Sequence, residues 1–308
     1  MAEFRYSIIK NPEIFMENRL PAHSDHAFYR SEESAAANDA DFKVSLNGVW
    51  KFSYAKNIAS AIEGFEKADY DCKTWDDIRV PAHIQMEGYD TPQYANTQYP
   101  WDGRQAVLPG EIPEEFNPVG SYVKYFEVPK NMEGGPVFIS FQGVESGMAL
   151  WLNGHYVGYS EDSFTPSEFD LTPYLVKGIN KLAVQVYKWT AGSWCEDQDF
   201  FRFSGIYREV YLYTIPKVHI CDLKLKTILD QDYKDAVLQL DLETNADGKA
   251  EVCLADDDVE MVMSVALEEG HNHIEMPVKE PFLWSAEDPY LYDLTIRVQN
   301  KAGVLQEV

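Results

Sequence analysis

The chain has 308 residues, of which 45% are hydrophobic and 14% aromatic, and its formal net charge is −25. This length leaves room for about two domains, and the apolar content is too high for a disordered chain. Nucleic acids and anionic membranes are bound through clustered Lys and Arg, so we expect no nucleic acid and no membrane as partners. The N-terminus lacks the apolar core of a signal peptide, and no stretch of about 18 apolar residues follows. We therefore expect a cytoplasmic protein.

Period-two alternation of apolar residues dominates the chain from about Asn47 onward. The preceding residues 1–40 are irregular and partly charged, and we expect them to form an arm along the surface. The segments "PVFISF", "NKLAVQV", "REVYLYT", "ICDLKLKT" and "AVLQLDLET" then follow in order, each typical of a strand. The pairs Asn153–Gly154 and Asp247–Gly248 predict hairpin turns. Helical periodicity over ten or more residues is hardly found, so the sequence predicts an all-β fold.

A change of composition near Thr214–Pro216 divides the chain into two regions. The first, residues 41–215, is rich in aromatic residues and predicts a jelly-roll β-sandwich. The second, residues 216–308, has the length and the succession of short strands typical of an immunoglobulin-like β-sandwich. The sequence therefore predicts an N-terminal arm at 1–40 followed by two β-sandwich domains.

The stretch "SWCEDQDFFRFSGIYREV" places acidic residues inside one of the most aromatic parts of the chain. On a strand, Asp197 and Asp199 would lie on one side, about 6.6 Å apart, near the spacing of glycosidase carboxylate pairs. Such a pair must flank the glycosidic bond, whereas neighbours on one strand approach it from one direction. Two interpretations stay open. One acid accepts hydrogen bonds from sugar hydroxyls beside aromatic rings, or the acids are buried and paired with Arg202 and Arg208.

Histidine pairs and cysteines give weaker signals. The pairs His271/His273 and His23/His26 could bind a metal, but we expect both to be solvated, the first in a polar turn, and assign neither. The cysteines lie far apart without a CxxC pair, which predicts buried free thiols rather than a zinc cluster or disulfides. They are Cys72, Cys195, Cys221 and Cys253.

Several long motifs resemble the N-terminal part of bacterial β-galactosidases of glycoside hydrolase family 2. They include "NRLPAHSDHAFYRSEE", "RVPAHIQMEGYDTPQYANTQYP", "FQGVESGMALWLNGHYVGYSEDSFTPSEFDLTPYL" and "GSWCEDQDFFRFSGIYREVYLY", and they cover about residues 18–213 in the order of that family. The segment "PFLWSAEDPYLYDLTIRV" is similar to the immunoglobulin-like second domain of the same enzymes. The resemblance implies a jelly-roll sugar-binding domain followed by an immunoglobulin-like domain.

The resemblance also implies a function for the parent protein. It would hydrolyse terminal β-D-galactosides such as lactose with retention, using two glutamates in a TIM barrel that follows these domains. A magnesium ion would lie in that barrel beside the acid. The chain is therefore expected to be a fragment that contributes no catalytic residue and is inactive alone, while the parent is expected to form a homo-oligomer.

Two residues of this chain match the sugar-contacting positions of the family. Asp199 matches the aspartate that accepts hydrogen bonds from galactose and helps to bind a sodium ion. Asn96, in "QYANTQYP", matches an asparagine that contacts the same sugar. Ala191 departs from the family pattern, because some members have an aspartate there that binds a second, structural magnesium, and that site is in doubt here.

Other functions remain open at this point. The jelly roll could be a free-standing carbohydrate-binding module, or the chain could serve structure and assembly alone. The parent could also be a related β-glucuronidase or β-mannosidase, although the spacing of "SEFDLTPYL" and "EDQDFFR" favours a β-galactosidase.

Overall fold

The computed structural model describes residues 3–39, 41–108, 110–196, 199–256 and 260–308. They form two compact units. The first contains the chain up to Ala22 and Lys43–Thr214, and the second contains His23–Phe42 and Ile215–Val308. The division after Thr214 lies one residue from the boundary predicted at 215. The predicted arm, in contrast, is shared between the two units.

Antiparallel strands build the first unit. In chain order they are β1 (Met16–Glu17), β2 (Lys43–Ser45), β3 (Gly48–Ala55), β4 (Asp76–Val80), β5 (Gln93–Ala95), β6 (Val119–Glu127), β7 (Phe138–Phe141), β8 (Val144–Glu145), β9 (Gly147–Leu152), β10 (His155–Ser160), β11 (Ser167–Asp170), β12 (Ile179–Tyr187), β13 (Phe200–Arg202), β14 (Gly205–Ile206) and β15 (Val210–Tyr213). A seven-stranded sheet has the order β1-β10-β9-β12-β6-β3-β4, and a four-stranded sheet has the order β11-β7-β15-β2. The short ribbons β13-β5 and β14-β8 complete the unit.

The seven-stranded sheet is buried on both faces. On β12, Leu182 and Val184 belong to the core shared with the four-stranded sheet, whereas Ala183 belongs to a second core on the opposite face. That second core is covered by side chains of the 3-10 helix Tyr6–Lys10 and of the segment 58–75. Burial on both faces explains why apolar residues occupy adjacent positions of β12, as at Leu182–Val184, instead of alternating with polar residues.

A buried ammonium group fixes the covering segment on this sheet. Lys181 on β12 is only 3% exposed. Its Nζ donates to the backbone carbonyls of Phe65 at 2.8 Å, Lys67 at 2.6 Å and Tyr70 at 2.9 Å. Three charge-assisted hydrogen bonds offset the cost of burying the charge, so a lysine is stable in an otherwise apolar strand.

The second unit is a smaller sandwich. Its strands are β16 (Ile220–Leu229), β17 (Asp235–Thr244), β18 (Gly248–Ala255), β19 (Glu260–Leu267), β20 (Gly270–Lys279), β21 (Asp293–Asn300) and β22 (Leu305–Glu307). One sheet has the order β16-β17-β20 and the other the order β19-β18-β21-β22. The predicted alternation holds on β17, where Leu238, Leu240 and Leu242 are buried in the core of this unit.

The two predicted hairpin turns have different outcomes. Asn153 and Gly154 have φ angles of 52° and 84° and connect β9 to its antiparallel partner β10, as the turn signal predicts. The prediction for Asp247–Gly248 is wrong, because β17 and β18 belong to different sheets. Those residues carry the chain from one layer of the sandwich to the other.

The segment His23–Phe42 is an integral part of the second unit. Tyr29 and Val308 exchange two backbone hydrogen bonds of 2.9 Å. Ser24 donates its backbone N–H to Asp222 at 2.7 Å and accepts the N–H of Leu223 at 2.9 Å. The segment also carries the α-helix α1 (Glu32–Ala36). Further 3-10 helices are Ile58–Ser60, Ile84–Glu87, Lys130–Met132, Thr172–Tyr174 and Ala191–Trp194.

The observed architecture confirms the predicted fold class, an all-β chain with a jelly-roll sandwich and an immunoglobulin-like sandwich. Helices are few and short. Within the described residues, none of them has the length and apolar character needed to cross a membrane.

Candidate functional site

A two-stranded ribbon at the end of the jelly roll carries both predicted sugar-contacting residues. Strands β13 and β5 are antiparallel, and their register pairs Phe200 with Ala95 and Phe201 with Tyr94. Asn96 directly follows β5 and Asp199 directly precedes β13, so in this antiparallel pair both residues flank the same end of the ribbon. Both of these residues are exposed. Residues paired in such a ladder, as Phe200 and Ala95 are, lie about 4.5–5.5 Å apart at Cα, so their neighbours Asp199 and Asn96 start close enough for one ligand to touch both.

The side chain of Asp199 is exposed and accepts a hydrogen bond. The hydroxyl of Tyr94 donates a hydrogen bond to its Oδ1. This bond to Asp199, together with burial and the carboxylate's charge, raises the pKa of Tyr94 above its usual value, so that the phenol remains a donor. An ionised carboxylate has about four lone-pair sites, and one donor leaves capacity for more. Asp197, the second acid of the predicted pair, lies outside the described residues.

Two acids other than Asp199 are at least half-buried, and of these two Glu196 belongs to the predicted motif whereas Glu145 does not. Glu145 on β8 is 5% exposed, and Glu196 is half-buried. Burial, helped by the charge of Glu196, raises the pKa of Glu145 to about 7, while Arg202 and Lys188 oppose the shift. Burial also raises the pKa of Glu196, and Arg202 opposes that shift too. The positive charge of Arg202 thus acts on both of these acids.

The other predicted cation has a different role. Arg208 donates from its Nη1 to the carbonyl of Phe164 at 2.8 Å, and its guanidinium lies 5.2 Å from the ring centroid of Tyr207. It therefore holds a loop and an aromatic ring.

The raised pKa of Glu145 should make the free energy of unfolding depend on pH. An acid whose pKa rises from 4.5 unfolded to about 7 folded stabilises the fold below pH 4.5 and loses that contribution as pH rises towards 7. As the pH rises from 4.5 to 8, we expect the free energy of unfolding of Glu145→Gln to increase by about 2–3 kcal/mol relative to that of the parent chain. Urea unfolding at several pH values measures this difference, and a difference that stays constant with pH contradicts the prediction.

Buried polar contacts anchor the chain on both sides of the ribbon. Lys188 and Asp90 form an ion pair of 2.5 Å, with side chains 1% and 7% exposed. Gln85 donates from Nε2 to Asp90 and to the hydroxyl of Ser204, both at 2.9 Å, and accepts the backbone N–H of Ser204 at 2.9 Å. Asp90 precedes β5 and Ser204 follows β13, so these contacts fix where the ribbon leaves the sandwich.

Aromatic residues near the ribbon divide into packed and exposed groups. Trp194 contacts Tyr99 and Trp101 with ring centroids 4.5 and 5.0 Å apart, and its Nε1 donates to the carbonyl of Glu111 at 2.6 Å. It therefore packs within the unit. Phe200 and Phe201 are exposed, so they do not belong to the core of this unit.

Metal binding has limited support in the described part of the chain. No group of three or more His, Cys, Asp or Glu side chains is arranged there to hold an ion. The carboxylate of Asp199 suits sodium as a hard oxygen ligand, but it supplies only one residue of a coordination shell. Ala191 is buried and offers no ligand. The neighbouring Glu161 accepts hydrogen bonds from Thr190, Gly192 and Tyr159.

The remaining sequence signals fall outside the ribbon. His271 and His273 lie on strand β20 and not in the predicted turn, and they face Glu243 and Asp241 on β17, with bonds of 3.1 and 2.7 Å. All four cysteines are free thiols, as predicted, but only Cys72 and Cys253 are buried. Sequence reasoning missed Tyr94, whose only signal is its position two residues before Asn96.

The two sandwich units define an all-β protein of two β-sandwich domains. Comparison with known families makes this specific. The description "Glycosyl hydrolases family 2, sugar binding domain" matches residues 43–216, and "Glycosyl hydrolases family 2" matches residues 218–308. The chain therefore belongs to glycoside hydrolase family 2, as the resemblance predicts.

Curated relatives extend beyond this chain. It is 50% identical to a β-galactosidase of Halalkalibacterium halodurans in an alignment of 309 positions that covers 98% of this chain and 30% of the relative. It is 47% identical to a β-galactosidase of Clostridium acetobutylicum, covering 97% and 34%. It is 38% identical to a β-galactosidase large subunit of Lactobacillus acidophilus, and the match covers 97% of this chain and 50% of that relative. The chain thus spans between 30% and 50% of the length of these relatives.

Solved structures share the fold. A structure of β-glucuronidase 2 from Bacteroides uniformis matches with a TM-score of 0.67 over 86% of this chain and 31% of that protein. A β-glycosidase from Bacteroides vulgatus matches with a TM-score of 0.64 over 86% and 33%. Sequence identities of 21% and 23% limit this similarity to the fold alone.

Proposed function

We propose that this chain forms the leading part of a retaining β-galactosidase and supplies one wall of its galactose site through Asn96 and Asp199. The observation that carries the proposal is the antiparallel pairing of β13 with β5, which brings these two exposed residues to the same end of the ribbon. Asn can donate and accept, and an ionised Asp accepts only, which together suit the hydroxyls of a sugar. The β-galactosidase names of the curated relatives support galactose as that sugar.

The chemistry of hydrolysis would come from elsewhere in the whole protein. Retention requires two carboxyl groups about 5–5.5 Å apart on opposite sides of the glycosidic bond. Asp199 lies on one side of the proposed site, where it can orient the sugar but cannot act with a partner across it. We place both catalytic glutamates, and a magnesium ion beside the acid, in a barrel domain of the parent. Asp199 would contribute one oxygen ligand to a sodium ion.

Assays of two forms of the protein test this proposal. The whole polypeptide should hydrolyse nitrophenyl β-D-galactoside and lactose in preference to the matching β-glucuronide and β-mannoside. The 308-residue chain alone should hydrolyse none of them. Preference for the glucuronide or mannoside would overturn the galactosidase assignment. Turnover by the chain alone would overturn the proposal that the catalytic residues lie in another part of the parent.

A galactose titration of the isolated chain separates this proposal from a free-standing binding module. Two exposed residues form one wall of a site, and one wall gives little affinity because most of the sugar remains in water. We expect backbone amide shifts near Asn96 and Asp199 to stay unsaturated at 100 mM galactose, on the order of the weakest specific affinities. Saturation at about 1 mM would favour the module. A cytoplasmic location and a homo-oligomeric parent remain part of the same proposal.

A further inference from the structure

The orientation of Asp199 is the least constrained part of the proposed site. Its side chain is exposed and stands at the end of a ribbon only three residue pairs long. An exposed carboxylate of this kind samples several rotamers, and each productive contact must first overcome that freedom. A sugar-binding aspartate therefore needs a neighbour that restricts it.

We propose that Tyr94 is a positioning residue that holds Asp199 in the orientation that accepts galactose hydroxyls. This inference rests on the proposed function. Tyr94 belongs to the strand opposite Asp199, and its hydroxyl donates to Oδ1 of that residue. With one oxygen fixed by the phenol, the second oxygen of the carboxylate has a defined direction for the ligand.

The ring of Tyr94 is itself held in place. It lies directly across the ribbon from Phe201, with ring centroids 5.4 Å apart at 58°. The ring of Phe201 in turn stacks on Phe203 at 6.0 Å and 24°. A tyrosine has only two rotatable side-chain bonds before its hydroxyl, so packing of the ring also fixes the donor. Phe203 lies next to Ser204, which Gln85 anchors to the sandwich.

The role of Tyr94 differs from that of Asn96 and Asp199. Those two residues would bind the sugar directly, whereas the phenol of Tyr94 donates its hydrogen bond to Asp199. A tyrosine that is 53% exposed contributes little to the core. Its loss should therefore change ligand binding more than folding, which distinguishes positioning from a structural role.

The test compares Tyr94→Phe with the parent in the whole enzyme. Phe keeps the ring against Phe201 and removes only the hydroxyl. We expect KM for a nitrophenyl galactoside and Kd for galactose, the latter by calorimetry, to rise about 5- to 20-fold, on the scale of one hydrogen bond to a charged group. The value of kcat should stay within about twofold, because an interaction present in both ground and transition states is removed.

Two further variants make the result specific. Tyr94→Ala should weaken galactose binding little more than Tyr94→Phe, because the hydroxyl and not the ring carries the effect. Tyr89→Phe is the matched control. It removes the 3.2 Å hydrogen bond from Tyr89 to Asp76, another Tyr–Asp pair in the same unit, and should leave KM and Kd unchanged.

The reference variant Asp199→Asn distinguishes the two proposals. If Asp199→Asn impairs galactose binding while Tyr94→Phe binds like the parent, the positioning role is wrong and the proposed function stands. If Asp199→Asn also binds and turns over galactosides like the parent, the proposed site itself is wrong. A loss in Tyr94→Phe matched by an equal loss in Tyr89→Phe would likewise overturn the positioning role.

Discussion

Replacing Asp199 by Ala in the whole enzyme is expected to lower kcat/KM for galactosides by about 2–4 kcal/mol, which corresponds to roughly 30- to 1,000-fold. In the parent, the exposed carboxylate offers acceptor sites to the sugar. In the variant this acceptor is missing, so the bound galactose hydroxyls cannot form a charge-assisted hydrogen bond with it. Steady-state kinetics with nitrophenyl β-D-galactoside measure the loss. Because the ribbon is exposed, the fold itself should be unaffected.

A matched control tests whether the effect belongs to the site. Asp76 is also exposed, and it too accepts a hydrogen bond from a tyrosine, Tyr89. Asp76→Ala should keep kcat/KM within about twofold of the parent, as is usual for a surface substitution away from a site. Unchanged kinetics in Asp199→Ala, or equal losses in both variants, would refute the assignment of Asp199.

The largest loss of stability is expected from Lys188→Met. Its ammonium is almost completely buried 2.5 Å from Asp90, and removal leaves a buried carboxylate without its cation. Breaking a buried ion pair in this way costs about 3–5 kcal/mol of unfolding free energy. Six of the seven tryptophans lie in the first unit, so urea unfolding followed by tryptophan fluorescence reports mainly on that unit.

Two comparisons sharpen this prediction. The double variant Lys188→Met/Asp90→Leu should recover most of the lost stability, because no charge then remains buried. Lys279→Met removes an ion pair of the same 2.5 Å length with Asp235, but the lysine side chain is 80% exposed, so the loss of stability should be much smaller than that of Lys188→Met. A small loss in Lys188→Met, or a double variant no more stable than the single one, would contradict the burial argument.

Local patterns in the sequence predicted most of the fold. Alternation on β17 and the Asn153–Gly154 turn report contacts between near neighbours, and both predictions hold. The Asp247–Gly248 signal failed because turn chemistry shows that the chain bends but not which sheet it enters next. The division of the arm at Ala22 had no local signal at all, since it depends on partners more than 180 residues away, such as Asp222.

The candidate site shows the same limit. Asp199 and Asn96 were found by resemblance, and their juxtaposition depends on a strand register that no short motif encodes. The bond from Tyr94 and the burial of Glu145 arise from the packed structure. Charge at an acidic position can be read from the sequence, whereas the protonation and orientation of that acid depend on its three-dimensional neighbours.

The second unit is built from two segments that are separated in the sequence by the first unit, and this constrains the order in which the two units can fold during translation. Segment 23–42 is synthesised early, but its strand partners begin only at Ile215, after the first unit has been made. While the intervening 172 residues, Lys43–Thr214, are synthesised, this segment lacks its partners in the second unit. It contains Phe28 and Phe42, whose ring centroids lie 5.3 Å apart in the finished unit. The second sandwich can therefore close only after translation of the first is complete. A gene cut at the apparent boundary after Thr214 would deliver a second unit without its N-terminal segment.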